Sequence, residues 1–190
     1  MKNKIKEFFA EYKVMILLSV FFALILAFAR MSCDDVAAMR VENGTLLSYL
    51  KKSIDMYDTW TSRVLVNFVV FIFTDHNPVY WAIFEGISMF VLLMAIKKLF
   101  ISKTDNEAEV VVMSCLVLLF PYWQLSSAGW IATVTTYFSP IAFGMVSLIP
   151  IRRILRGEKI AWWEYVWYFG CLIYGANNEQ MMVRWKIKFQ

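Results

Sequence analysis

Four short polar segments interrupt an otherwise apolar chain, and each carries side chains able to do chemistry. Cys33-Asp34-Asp35 sets two carboxylates side by side. Tyr57-Asp58-Thr59-Trp60-Thr61-Ser62-Arg63 joins an acid, an arginine and aromatic rings. Residues 130–137 run from Trp130 to Tyr137 with hydroxyls between, and Asn177-Asn178-Glu179 is the fourth segment. A carboxylate can accept a proton from a hydroxyl, and a planar guanidinium matches a phosphate. Together these groups suit a polar headgroup or a sugar. Each also has a plain structural reading. Asp34 or Asp35 can cap a helix starting at Val36, and Arg63 can anchor at an interface or pair with Asp58. Trp130 and Tyr137 fit an aromatic belt or a core, and Glu179 fits a first-turn acid behind an Asn178 cap. Glu85 and Glu164 lie inside apolar segments, where an acid is a functional candidate; both stand near a segment end, within reach of water.

The residue inventory removes other chemistries. His76 is the sole histidine and sits in Asp-His-Asn-Pro, a turn sequence, so Ser-His-Asp triads and HExxH metal sites are excluded. Cys33, Cys115 and Cys171 share no close spacing, which supports neither zinc nor a disulfide framework. Asn43-Gly44-Thr45 fits a glycosylation pattern but reads equally well as a turn.

These segments need elements to hold them, and composition says what kind. Of 190 residues, 60% are hydrophobic and only 18% charged, with 7 Gly and 4 Pro; the mean hydropathy is +0.56. Soluble domains are nearer roughly 45–50% apolar and about 25% charged. The expected class is an all-α integral membrane protein with its lipids as partners. The net charge of +4 does not call for nucleic acid, because membrane proteins place Lys and Arg on the cytoplasmic side.

A spanning helix needs about 20 apolar residues. After a cytoplasmic tail at 1–13, residues 14–29 form the first candidate. Ala27-Phe28-Ala29 resembles a signal-peptide cleavage site, but Glu7 and Glu11 in a long leading segment favour an uncleaved anchor. Residues 30–78 read as one outer loop with surface helices: Leu46, Leu47, Leu50, Ile54 and Tyr57 recur at helical spacing, and the apolar run at 64–74 is too short to span. Four further spans fit within 79–176. One covers 79–96; two share 110–151, which holds no charge, with a hairpin around Phe120-Pro121 to Gly129 and an interfacial belt of Tyr122, Trp123 and Trp130; the last covers 161–176. Residues 177–190 become an outer tail. With the N-terminus inside, four Lys of the tail, three near 97–103 and four basic residues at 152–159 face the cytoplasm, out of 19 in all. That bias supports about five spans in a bacterial cytoplasmic membrane, and it puts all four polar segments on the outer face.

The order of motifs (a first span, Asp34-Asp35, a loop with amphipathic helices, Trp60-Thr61-Ser62-Arg63, Trp130 to Tyr137 and Pro140, then Asn177-Asn178-Glu179) resembles the N-terminal part of bacterial GT-C type polytopic membrane glycosyltransferases, near the GtrII-like glucosyltransferases. Ser62 stands where Gly is usual before the Arg, and Ala176-Asn177-Asn178-Glu179 replaces a Gly-Ser-Asn-Glu style of turn. The resemblance implies transfer of a sugar from a polyprenyl-phosphate carrier to an outer-face acceptor of the cell envelope. It implies a catalytic role for Asp34 or Asp35, as base or as ligand of a divalent metal. Arg63, Trp60, Trp130, Tyr137, Asn178 and Glu179 would then bind substrate. Such enzymes are roughly twice this length, so the expectation is a truncated member, inactive alone or completed by a second chain. The alternative is a non-enzymatic multi-pass scaffold or accessory protein. A transporter is disfavoured, since no internal repeat is found.

Overall fold

The computed structural model describes residues 2–38, 44–59, 61–101, 107–122, 124 and 128–178. Among the described residues all regular structure is helical. The helices are α1 (Lys2–Ala27), α2 (Asp34–Ala38), α3 (Leu46–Thr59), α4 (Val64–Thr74), α5 (Pro78–Phe100), α6 (Glu107–Leu118), α7 (Trp130–Val146), α8 (Ile149–Leu155) and α9 (Trp162–Ala176).

Local sequence accounts for the boundaries. Asn77 caps α5, its side chain accepting from the Val79 amide at 3.0 Å, and Pro78 follows where no amide donor is needed. Lys97 and Lys98 close the same helix, complementing its dipole. Thr45 and Ser48 exchange backbone-to-side-chain bonds of 3.0 and 3.2 Å across the start of α3. Glu164 reaches back to the Ala161 amide at 2.9 Å at the start of α9.

Helices α1, α5, α7 and α9 pack in that order, each against the next. The core between α1, α5 and α7 is built from Met15, Phe22, Leu26, Trp81, Met89, Leu93, Ile131, Val134 and Phe138. At the α7–α9 crossing a Cβ added at Gly175 would stand 2.7 Å from Gly144 Cα, so this close approach of two backbones requires glycine at 175. Helix α4 lies on α7 and carries α3 on its other side. Tyr49 and Ser53 form the inner face of α3, with the Tyr49 hydroxyl donating to Asp75. The stripe of Leu46, Leu47, Leu50, Ile54 and Tyr57 therefore faces outward.

Two helical stretches are long and apolar enough to cross a membrane, Pro78–Phe100 and Trp130–Leu155, the second joining α7 and α8. Helices α6 and α9, at 12 and 15 residues, fall short of the roughly 20 that a perpendicular crossing needs. The first half of α1 carries the charges of the amino-terminal tail. Glu85 departs from its sequence reading. It has no exposed surface and faces α7, because eight residues into α5 it occupies the stripe shared with Trp81 and Met89. Ser139 Oγ lies 2.7 and 2.9 Å from its two oxygens and Thr135 Oγ1 lies 3.1 Å away. The Trp81 indole donates in turn to Thr135 at 3.0 Å.

Candidate functional site at the amino end of α7

Helix α7 is the spine onto which the polar segments converge. Residues 32–35 fold over its start: the Asp34 amide donates to the Ala128 carbonyl at 3.0 Å. The Asp35 side chain then enters the space at the helix end, accepting from the Ala132 amide at 2.7 Å and the Ser32 amide at 3.3 Å. Gly129 makes this fit possible. Its φ of +119° is one that side-chain-bearing residues avoid, and an added Cβ would come within 2.6 Å of Asp35 Oδ1. Asp35 is thus a cap for α7, supplied by the loop after α1, rather than a cap for the short helix in which it lies. Burial raises its pKa above the usual carboxylate value, against the opposing pull of the backbone amides at Ala132, Ser32, Ile131 and Trp130. Asp34, its neighbour, is exposed.

Arg63 stands at the entry to α4, and its guanidinium carbon lies 5.4 Å from the centre of the Tyr137 ring, a cation–π contact. Tyr137 also lines an apolar groove of about 560 Å³ between α5, α6 and α7, walled by Leu92, Met113, Val117, Phe138 and Ile141. Trp130 is half-buried, packed on the core rather than projecting as a belt residue. Tyr122 likewise turns inward, its ring 5.0 Å from Phe22 and 5.9 Å from Phe138.

The Asn pair has two separate tasks. Asn177 Oδ1 accepts from the amides of Leu65 and Val66 at 2.9 and 3.2 Å, capping α4 from the end of α9. Asn178 is buried, and its Nδ2 donates to the Thr136 carbonyl at 2.6 Å. That carbonyl lacks its helical donor because residue 140, four positions on, is proline. The signal for this pairing was present in the sequence as a proline inside an apolar helix and a buried-type amide elsewhere. Only folding shows that they meet.

Along its first eight residues α7 thus meets Asp35 at Ala132, Asn178 at Thr136 and Arg63 at Tyr137, with Trp130 at its start; Asp34 is tied just ahead of the helix, at the Ala128 carbonyl. Trp60 and Glu179 lie outside the described residues, as does Trp123. The hydroxyl cluster around Glu85 was not foreseen as a unit, since Thr135 and Ser139 carry no mark distinguishing them from other hydroxyls in a span. A divalent metal does not fit the described acids of this site. The Asp35 oxygens are engaged by amides, and among the described residues no group of three or more Asp, Glu, His or Cys side chains converges. No known protein family, curated protein or solved structure matches the chain.

Proposed function

We propose that this chain is a GT-C-like membrane glycosyltransferase, or its amino-terminal part, acting on a sugar carried by a polyprenyl phosphate at the outer face of a bacterial membrane. The observation that carries this reading is one arginine over one tyrosine: Arg63 sits on the ring of Tyr137, and Tyr137 forms part of an apolar groove. Arg63 is not itself part of the groove wall, and Tyr137 is the residue common to both. A cation and an apolar groove joined through one ring would suit a phosphate on a lipid tail, each half of which needs its own kind of surface. The order of the polar motifs gives the resemblance, and Asp34 supplies an exposed carboxylate next in the chain to the buried Asp35.

In the proposed reaction the acceptor hydroxyl attacks the anomeric carbon and transfers its proton to the Asp34 carboxylate. The bond from that carbon to the phosphate oxygen breaks, and polyprenyl phosphate leaves with its added negative charge held by Arg63. Asp35 is a positioning residue, since it fixes the end of α7 that carries Tyr137. The membrane placement belongs to the same proposal: about five segments in the bilayer, the amino terminus inside, and α3 lying on the surface with its outward apolar stripe in the headgroup region.

A scaffold is the second reading, favoured by the fact that Asp35, Asn177 and Asn178 each join one helix to another. The test uses a host in which deleting the protein alters a surface glycan. Asp34→Asn and Arg63→Ala should each abolish restoration of that glycan while leaving the amount of membrane-inserted protein unchanged. Full restoration by both variants would overturn the enzymatic reading and favour the scaffold.

A further inference from the structure

At the opposite end of the bundle from Asp35, a polar cleft of about 420 Å³ lies where the carboxyl ends of α5 and α8 meet the amino end of α9. Its walls carry Lys97 and Lys98 from α5, Arg153 from α8 and Arg156 just beyond it. Two of these cations are matched. Lys97 Nζ lies 2.9 Å from Glu11 and 4.8 Å from the centre of the Tyr12 ring. Arg153 is held 2.9 Å from Glu164 and 3.4 Å from Glu158. Lys98 and Arg156 make no ion pair among the described residues, although both border the same cavity. Arg152 stands beside them, its guanidinium donating to the carbonyls of Lys98 and Ile101. Lys98 acts at longer range on Glu11 and Glu164. The four cations of the lining exceed its three carboxylates by one charge, and Lys98 and Arg156 remain without a direct carboxylate partner among the described residues.

The surface flanking this cleft is as apolar as the cleft is polar. Leu155 is 82% exposed and Trp162 78%, directly before Arg156 and directly before the helix turn that carries Glu164. An inorganic ion would need only the cations. A phosphate bearing acyl chains would use both surfaces, and basic pockets between helices at a membrane's cytoplasmic side suit such headgroups. We propose that this cleft binds the phosphate of an anionic phospholipid, Lys98 and Arg156 contacting the phosphate while the acyl chains run along Leu155 and Trp162. The site is separate from Arg63 and from the groove that Tyr137 lines; it rests on the proposed membrane placement but not on the proposed transferase activity.

The full chain in neutral detergent tests this by its thermal midpoint. Added phosphatidylglycerol should raise the midpoint and added phosphatidylcholine should not. Lys98→Ala with Arg156→Ala should weaken the phosphatidylglycerol response roughly 30-fold in lipid concentration, from two cations near a headgroup. Both residues are exposed, and Lys98→Arg with Arg156→Lys, which keeps the charge, should retain the response. Arg63→Ala should leave it untouched. An equal response to both lipids, or an unchanged one in the double alanine variant, overturns the proposal. Inorganic phosphate at millimolar concentration producing the same rise would overturn the lipid assignment in favour of a soluble phosphate.

Discussion

At the scale of single residues, Asp34 and Asp35 illustrate how neighbours with the same side chain take different work. Asp35 turns its oxygens onto the amides that open α7, so its loss is a lost cap: Asp35→Ala should cost about 1–2 kcal/mol of stability. Asparagine keeps an acceptor for the Ala132 amide and should cost less. The pH dependence separates the two effects. Burial raises the Asp35 carboxyl in the folded chain, so the folded state holds a proton more tightly than the unfolded one. Between about pH 4, the unfolded value, and the raised folded value, stability then falls as pH rises and is regained on acidification. Asp35→Asn removes this slope. Unfolding followed in detergent across that window should therefore show the variant gaining on the wild type as pH rises. Parallel curves would mean that Asp35 titrates normally.

At the scale of elements, α7 and α9 are joined by a proline, an asparagine and two glycines. Pro140 removes the donor that would satisfy the Thr136 carbonyl, and Asn178 supplies another. Removing that amide leaves a buried acceptor unsatisfied, so Asn178→Ala should cost about 1–3 kcal/mol. In a Pro140→Ala background, the restored amide at position 140 takes over, and the same substitution should cost much less. A double-mutant cycle should give a coupling of about 1 kcal/mol or more. Additive losses would show that the two residues act separately. The same pairing says what was legible from the chain. The extents of α4, α5 and α9 follow from apolar runs closed by breakers or basic clusters, and the structure repeats them closely. The task of Asn178 depends on a carbonyl 42 residues away, which no local pattern encodes. Glu85 is the clearest departure: nearness to a segment end suggests water, and packing against Ser139 and Thr135 removes it.

At the scale of the whole molecule, the distribution of apolar surface is the informative quantity. The core of α1, α5 and α7 is small, while α9 turns Trp162, Trp163, Val166, Trp167 and Phe169 outward, each more than half exposed. Water would not tolerate such a face on a monomer; a bilayer would. Together with two helical stretches of spanning length, this favours the proposed membrane placement. Reconstituted protein should have its tryptophan fluorescence quenched by brominated lipids. Replacing Trp162, Trp163 and Trp167 with phenylalanine should reduce the quenching, since three of the eight tryptophans lie exposed on this face while Trp81 is enclosed. Release of the wild-type protein into the supernatant on alkaline extraction of membranes would contradict the placement.

Composition and hydropathy by themselves determined the helical class, the approximate helix limits and the candidate polar residues, because these depend on local runs of similar side chains and on where charges interrupt them. The sequence also marked Asp34-Asp35, Arg63, Tyr137 and Asn177-Asn178 as worth attention, by residue type alone. Only the tertiary structure decided which of two aspartates is buried, that Arg63 rests on Tyr137, and that a proline's orphaned carbonyl is met by an amide from another helix. It also decided that Glu85 lies among hydroxyls and that four cations border a cleft at the far end. Each of these depends on the angle and depth at which helices cross, and those are set by side-chain packing between segments distant in the chain.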